Sequence, residues 1–158
     1  MISAAELQFM LSHVGPRDVV WEWGSGRSTL ALARKAARVT TVEHDPAWAI
    51  KVTAQAAPNV SVLHIPPNLP FDNTTDGDGQ TFASYVDSYS GLGVSVVLID
   101  GRARVACARR VAETAPFGPN PGMKVFLHDC EREEYAPIMS YFMPKATEGR
   151  LMLLEVRL

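Results

Sequence analysis

Short runs of β-branched and aromatic residues recur along the chain, separated by stretches whose apolar residues fall at helical spacing. Leu7, Met10, Leu11 and Val14 lie three and four apart, which predicts an amphipathic helix over residues 1–14 that ends at Gly15-Pro16. Residues 19–23 read as a strand. Residues 28–37 read as an Ala/Leu-rich helix, with Arg34, Lys35 and Arg38 suiting its C-terminal end. Residues 39–43 are a second, β-branched strand. Asp45 before Pro46 supplies an N-cap and a first helical position for a helix running to about Ala57. Residues 60–65 form a third strand. Residues 66–79, rich in Pro, Gly, Asp, Asn and Thr, read as a loop longer than most connections. Residues 81–92 read as a short helix with Phe82, Tyr85, Val86 and Tyr89 on one face. Residues 95–99 are continuously apolar, the pattern of a strand buried on both faces of a parallel sheet. A helix over 103–115, a tight loop over 116–122 and a fifth strand over 123–127 follow. The pattern then predicts a helix over 132–142 containing Pro137, and two closing strands, 145–148 and 150–157, around Gly149.

Strands alternate with helices up to residue 142, with no repeat and no linker. This predicts one α/β domain over residues 1–158, a three-layer sandwich around a mostly parallel seven-stranded sheet with right-handed crossovers and a C-terminal antiparallel hairpin. In open α/β sheets the ligand lies beyond the carboxyl ends of the strands, so the chemistry is sought there.

Four strand ends carry the polar residues. The first strand runs into Glu22-Trp23-Gly24-Ser25-Gly26 and then Ser28-Thr29, a glycine turn entering a helix. The glycines let a ligand approach the backbone, and the hydroxyls stand beside unpaired N–H groups of the first helical turn. Gly24-x-Gly26 is half of the dinucleotide fingerprint, whose third glycine position holds Thr29, and no Gly-Lys-Ser/Thr of a phosphate loop is present. The alternative is a plain tight turn. Glu43, 19 residues after Gly24, ends the second strand beside His44, where an acid accepts from the hydroxyls of a ribose. The alternative is a helix-capping acid. Asp100 and Asp129 end adjacent strands and are read as a general base with an orienting partner, a hard-cation pair, or helix caps. His128 is a base or a semi-buried ring. Arg102, Arg104, Arg132 and Tyr135 border this edge. The arginines either hold an anionic group of a substrate or form a solvated face.

Composition narrows the partners. A net charge of −2 without a basic run argues against nucleic acid. No apolar stretch approaches a membrane span, and the first residues lack a signal-peptide pattern. Cys107 and Cys130 lack metal-ligand spacing, which fits free thiols in a reducing, cytoplasmic setting.

Residues 20–26, 42–46 and 96–100 together resemble the class I S-adenosylmethionine-dependent methyltransferases, a Rossmann-like superfamily, and the resemblance covers nearly the whole chain. Within it, Val42-Glu43-His44-Asp45-Pro46-Ala47-Trp48, Val97-Leu98-Ile99-Asp100-Gly101, residues 125–132 and Glu148-Gly149-Arg150-Leu151 are similar to the polysaccharide-biosynthesis methyltransferases, the group of the glucuronoxylan 4-O-methyltransferases. The segment Arg102-Ala103-Arg104 departs from that group. The resemblance implies S-adenosylmethionine as cofactor, held by residues 22–26, Ser28, Thr29, Glu43, His44 and Asp100. It implies O-methylation of a small or carbohydrate-like acceptor. A sugar hydroxyl is a weak nucleophile, so the expected base is Asp129, assisted by His128 or Asp100. No metal is expected. A cation-dependent catechol-type methyltransferase is the main alternative, but Cys130 stands where that pattern has Asn, and a thiol suits Mg²⁺ poorly. A non-catalytic cofactor-binding module of the same fold is the other. A lid over the acceptor comes from residues 66–79 or from a second subunit, which leaves a homo-oligomer open.

Overall fold

The chain's strands are β1 (Val19–Trp23), β2 (Arg38–Glu43), β3 (Val60–His64), β4 (Val96–Ile99), β5 (Lys124–His128), β6 (Phe142–Glu148) and β7 (Leu151–Val156), and they form one sheet in the order β3-β2-β1-β4-β5-β7-β6. The structure is a computed structural model and describes residues 1–115 and 122–157. All pairings from β3 to β5 are parallel, whereas β7 is antiparallel to both β5 and β6. The expected fold class is the observed one. Of the loop expected over 116–122, all but Gly122 lies outside the described residues.

The helices are α1 (Ala4–Ser12), α2 (Arg27–Leu32), α3 (Pro46–Thr53), α4 (Ala83–Asp87) and α5 (Arg104–Thr114), with a 3₁₀ helix at Glu133–Ser140. Side chains along the central strands alternate between two cores, as the twofold period of a strand requires. Val20, Val96, Leu98 and Phe126 pack with Met10 of α1 and Leu32 of α2. Trp21, Trp23, Val97, Ile99 and Leu127 pack with Tyr85 of α4, Val111 of α5 and Ile138. β4 is buried along its whole length.

Several elements are shorter or differently wound than the pattern predicts; α3, for one, ends at Thr53 rather than near Ala57. α2 ends at Leu32 rather than Ala37, because the Ala37 N–H donates to Asp18 O at 2.9 Å and Asn59 Nδ2 donates to the carbonyls of Ala33 and Ala36. These bonds turn the chain back toward the sheet. α4 spans five residues and is followed by Gly91 and Gly93, both at positive φ. The helix expected over 132–142 is a 3₁₀ helix instead. Pro137 has no N–H for an α-helical ladder, and the chain is already extended at Phe142. β6 therefore starts three residues early, and a register irregularity between Pro144 and Ala146 absorbs the offset.

One long-range tie secures the first helix to the last hairpin. Ser3 and Glu6 form a capping box at the start of α1. Glu6 is buried and its Oε1 also accepts the Arg150 N–H at 2.7 Å. Burial pushes the Glu6 carboxyl up, but the donors from Ser3 and Arg150 outweigh it and hold it at about 2, against an ordinary 4.5. A depressed carboxyl contributes stability that is present above 4.5 and lost as pH falls through 2. Glu6→Gln is therefore expected to lower the unfolding free energy at neutral pH by about 2–3 kcal/mol. The gap should narrow in acid, as urea denaturation at a series of pH values will show.

Candidate active site at the carboxyl edge of the sheet

The turn after β1 and the turn after β4 cross in near contact. Gly24 has φ +90°, and a Cβ there would lie 2.7 Å from Gly101 Cα. A Cβ on Gly101 would lie 2.8 Å from Gly24 N and collide with Tyr85 Oη. Only paired glycines allow this crossing. Gly26 is different: its backbone is extended, and the nearest atom to a Cβ there is Trp48 Nε1 at 3.9 Å. That is ordinary van der Waals contact with the Trp48 ring, so Gly26 is not a tight crossing like Gly24 and Gly101.

Glu22 is fully buried beneath this turn. Ser28 Oγ and Thr29 Oγ1 both donate to its carboxylate at 2.5 Å, and Thr29 Oγ1 accepts the Gly26 N–H at 2.9 Å. The two hydroxyls read from sequence as ligand donors are thus turned inward, where they fix the turn. Burial raises the Glu22 carboxyl to about 7, against the pull of those hydroxyls.

Glu43 is prepared from both sides. Its Oε2 accepts Ser25 N at 3.1 Å and Ser25 Oγ at 2.9 Å; its Oε1 accepts the N–H groups of His44 and Asp45 at 2.8 and 3.0 Å. Burial opposes its charge, but the His44 ring, whose Nδ1 lies 2.9 Å from Oε1, outweighs it together with the Asp45 N–H and Ser25 and keeps the carboxyl below its ordinary value. Trp48, which the sequence reading passed over as a site residue, donates from Nε1 to Ser25 O at 2.7 Å. Its ring carries Lys51 Nζ at 4.3 Å and stands partly exposed at the rim. A tryptophan one turn after a strand-end acid is the signal that would have found it.

Asp100, His128 and Asp129 come together as the strand pattern implies. His128 Nδ1 lies 2.9 Å from Asp100 Oδ1, and Asp100 as a carboxylate accepts, so Nδ1 donates. His128 is completely buried, and its Nε2 points to Glu6 Oε2 at 3.5 Å. Neither ring nitrogen faces a cavity. Asp129 has φ +57° and is ringed by three arginines: Arg104 at 3.0 Å, Arg132 at 3.4 Å and Arg150 at 2.8 Å. Burial pushes its carboxyl up, but Arg104, His128 and Arg132 outweigh it and hold it below the ordinary carboxylate value. Arg104 is itself buried rather than a solvated side chain.

Two cavities open along this edge. One, of about 670 Å³, lies between the Gly24–Gly26 turn, Glu43, Trp48, Asp100 and Asp129. That is within the size range of small-molecule sites. The other, of about 1160 Å³, lies under residues 70–78 and is walled by Arg132 and Tyr135. Arg102 belongs to both walls. It donates to Thr75 O and Asn73 Oδ1 at 3.0 and 3.3 Å and stacks its guanidinium over Phe71. Asp76, also unmarked in the sequence reading, accepts the Arg104 N–H at 2.8 Å, and its carboxyl is raised by burial. The long loop is therefore pinned at several points to the start of α5.

Among solved structures, a methyltransferase-like protein from Silicibacter pomeroyi superposes with a TM-score of 0.75 at 26% identity, covering 99% of this chain and 87% of that one. A candidate methyltransferase from Streptococcus mutans, solved with S-adenosylhomocysteine, gives 0.60 at 10% identity, covering 98% and 97%. An rRNA methylase from Streptococcus thermophilus gives 0.59 at 11% identity, covering 99% and 98%. No protein-family model and no curated protein sequence matches the chain. The chain shares its fold with the S-adenosylmethionine-dependent methyltransferases. Among the described residues, no helix is long and apolar enough to cross a membrane.

Two outcomes test the geometry of the turn. Gly101→Ala should lower the unfolding free energy by about 3 kcal/mol, since the added methyl would meet the Tyr85 hydroxyl and the Trp23–Gly24 backbone. A raised buried carboxyl favours the folded state fully below its unfolded value of 4.5 and loses that contribution as pH rises through 7. The stability of the wild type relative to Glu22→Gln should therefore fall by about 3 kcal/mol across that interval. Paired denaturation curves at graded pH measure it.

Proposed function

We propose that the protein is an S-adenosylmethionine-dependent methyltransferase that methylates a hydroxyl of a small, carbohydrate-like acceptor. The observation that carries the cofactor half is the 670 Å³ cleft, in which the Glu43 carboxylate sits beside the Gly24–Gly26 turn. Glu43 would take the ribose hydroxyls, with rotation of Ser25 Oγ freeing an acceptor position on Oε2. Gly24, Ser25 and Gly26 would line the methionine part, with Trp23 and Glu22 holding the turn from below. Trp48 and His44 would flank the far end, and Asp100 would face the middle. Bound there, the cofactor supplies a methyl group on a sulfonium centre. The protein's task is to hold an oxygen in line with it and to exclude water.

The polar cavity under residues 70–78 supports the acceptor half. It shares Arg102 with the cofactor cleft and offers the hydroxyl, amide and carboxylate groups of residues 73–76. The pinned loop serves as the lid. Asp129 is ionised but paired with three arginines, which makes it a weak proton acceptor and a strong orienting charge. Asp76, raised by burial and set in the acceptor wall, is the more basic of the two carboxylates, so it is the one proposed to take the hydroxyl proton. His128, with both nitrogens turned to carboxylates, orients Asp100.

Titration calorimetry with S-adenosylhomocysteine tests the cofactor half: saturable heat is expected, and none at millimolar ligand would end the reading. Gly26→Val should weaken that binding by about a hundredfold or more, with the fold intact by circular dichroism. For the acceptor half, methyl label from S-adenosylmethionine should appear on oxygen across a panel of sugars and uronic acids. Label on nitrogen alone would replace O-methylation by another transfer.

A further inference from the structure

Asp100, His128 and Asp129 offer oxygen and nitrogen atoms within 4.8 Å of one another, a grouping suited to a divalent cation. We propose that the guanidinium of Arg104 is the resident cation of this cluster, taking the place of a metal and closing the cluster to one. Arg104 is thus a positioning residue that clamps the ends of β4 and β5. The proposal does not depend on methyl transfer.

The contacts of Arg104 are those of an embedded ion. Nη1 donates to Asp129 Oδ2 at 3.0 Å and to His128 O at 2.6 Å. Nη2 lies 3.3 Å from Asp100 Oδ1 and donates to Asp100 O at the same distance. Nε donates to Gly101 O at 3.1 Å and lies 3.9 Å from Asp76 Oδ1. The side chain is 9% exposed. One planar fork therefore gathers three carbonyls and two carboxylates from both strand ends.

The same contacts consume what a metal would use. Asp100 Oδ1 already faces His128 Nδ1 as well as Arg104. Asp129 Oδ2 faces Arg104 and Arg132, and Asp129 Oδ1 faces Arg150 Nη1. His128 Nδ1 carries its proton toward Asp100 and has no lone pair to offer. A divalent ion would have to displace a guanidinium that is bonded on all of its nitrogens. With Arg104 removed, the two carboxylates and neighbouring carbonyl oxygens form the hard-oxygen set that Mg²⁺ or Mn²⁺ binds.

The test measures metal binding directly. The wild type in millimolar Mg²⁺ or Mn²⁺ should give no saturable calorimetric heat, and neither ion nor EDTA should move its melting temperature. Arg104→Ala should bind Mn²⁺ at least about tenfold more tightly than the wild type. Added Mn²⁺ should raise its melting temperature, and Asp129→Asn in that background should remove both effects. Arg104→Gln, whose amide still donates to a carbonyl, replaces the alanine variant if that variant does not fold. A variant that folds only with Mn²⁺ also supports the proposal. Wild-type Mn²⁺ binding that Asp100→Asn abolishes would overturn it, as would an Arg104 variant that Mn²⁺ neither binds nor rescues.

Discussion

The structure depends on neutralising carboxylates that the fold buries at one edge of an apolar sheet. An isolated buried charge costs several kcal/mol, so each must be protonated, hydrogen-bonded or paired. The chain uses all three solutions. Glu22 lies beneath two hydroxyls with its proton affinity raised to about 7. Glu6 stays ionised because backbone N–H groups converge on it, and Glu43 because the His44 ring joins such groups. Asp129 stays ionised because Arg104, His128 and Arg132 stand around it. The choice sets the character of each position. The hydroxyl-held acid stiffens a turn, Glu43 ties the Ser25 turn to the start of α3 at the wall of the cleft, and the arginine-held acid becomes part of a clamp.

The clamp and the glycine crossing divide the edge into two compartments. Gly24 and Gly101 bring the ends of β1 and β4 together, and Arg104 joins β4 to β5. Asp76 and Arg102 then lay the long loop across the start of α5. The cleft on one side is bounded by Glu43 and Trp48; the cavity on the other is bounded by the loop and Tyr135. Under the proposed function, these would be the separate seats of cofactor and acceptor, sharing one wall. Arg102 is that shared wall.

The strands were legible in the sequence because residues 19–23, 39–43 and 95–99 are short, apolar and bounded by polar strand ends. The clustering of strand-end acids followed from the topology alone. What local pattern could not reveal was partnership over distance. Glu6 closes a capping box with Ser3 three residues away, yet its second partner is 144 residues away. Arg104 sits at the start of a helix whose outer face is charged, so it reads as solvated. The sequence leaves it equally open to an anionic substrate group, and only its partners on the ends of β4 and β5 take it inside. Asp76 lies in a stretch whose composition says loop, and composition says nothing of where a loop is fastened. Ser28 and Thr29 were read at the right turn, but the buried acid one strand-end earlier claims their hydroxyls.

The arginines also change the kind of acceptor the site favours. Arginine beside a candidate active site suggests an anionic substrate, but these side chains are already engaged. Arg104 is spent on the clamp, and Arg102 is bonded to Thr75 and Asn73. Arg132, about half exposed, is the freest, and it lies within 3.4 Å of Asp129 and 3.6 Å of Glu134. The second cavity is lined by Asp72, Asp76, Asp78 and Glu134 against Arg102 and Arg132. An acidic acceptor entering it would have to compete with carboxylates for every guanidinium and bring another negative charge among them. A neutral polyol gains hydrogen bonds from the same groups without that repulsion. Under the proposed function, this wall would favour a hydroxylated and uncharged acceptor over an acidic one, and its carboxylates would be the groups available to a hydroxyl nucleophile.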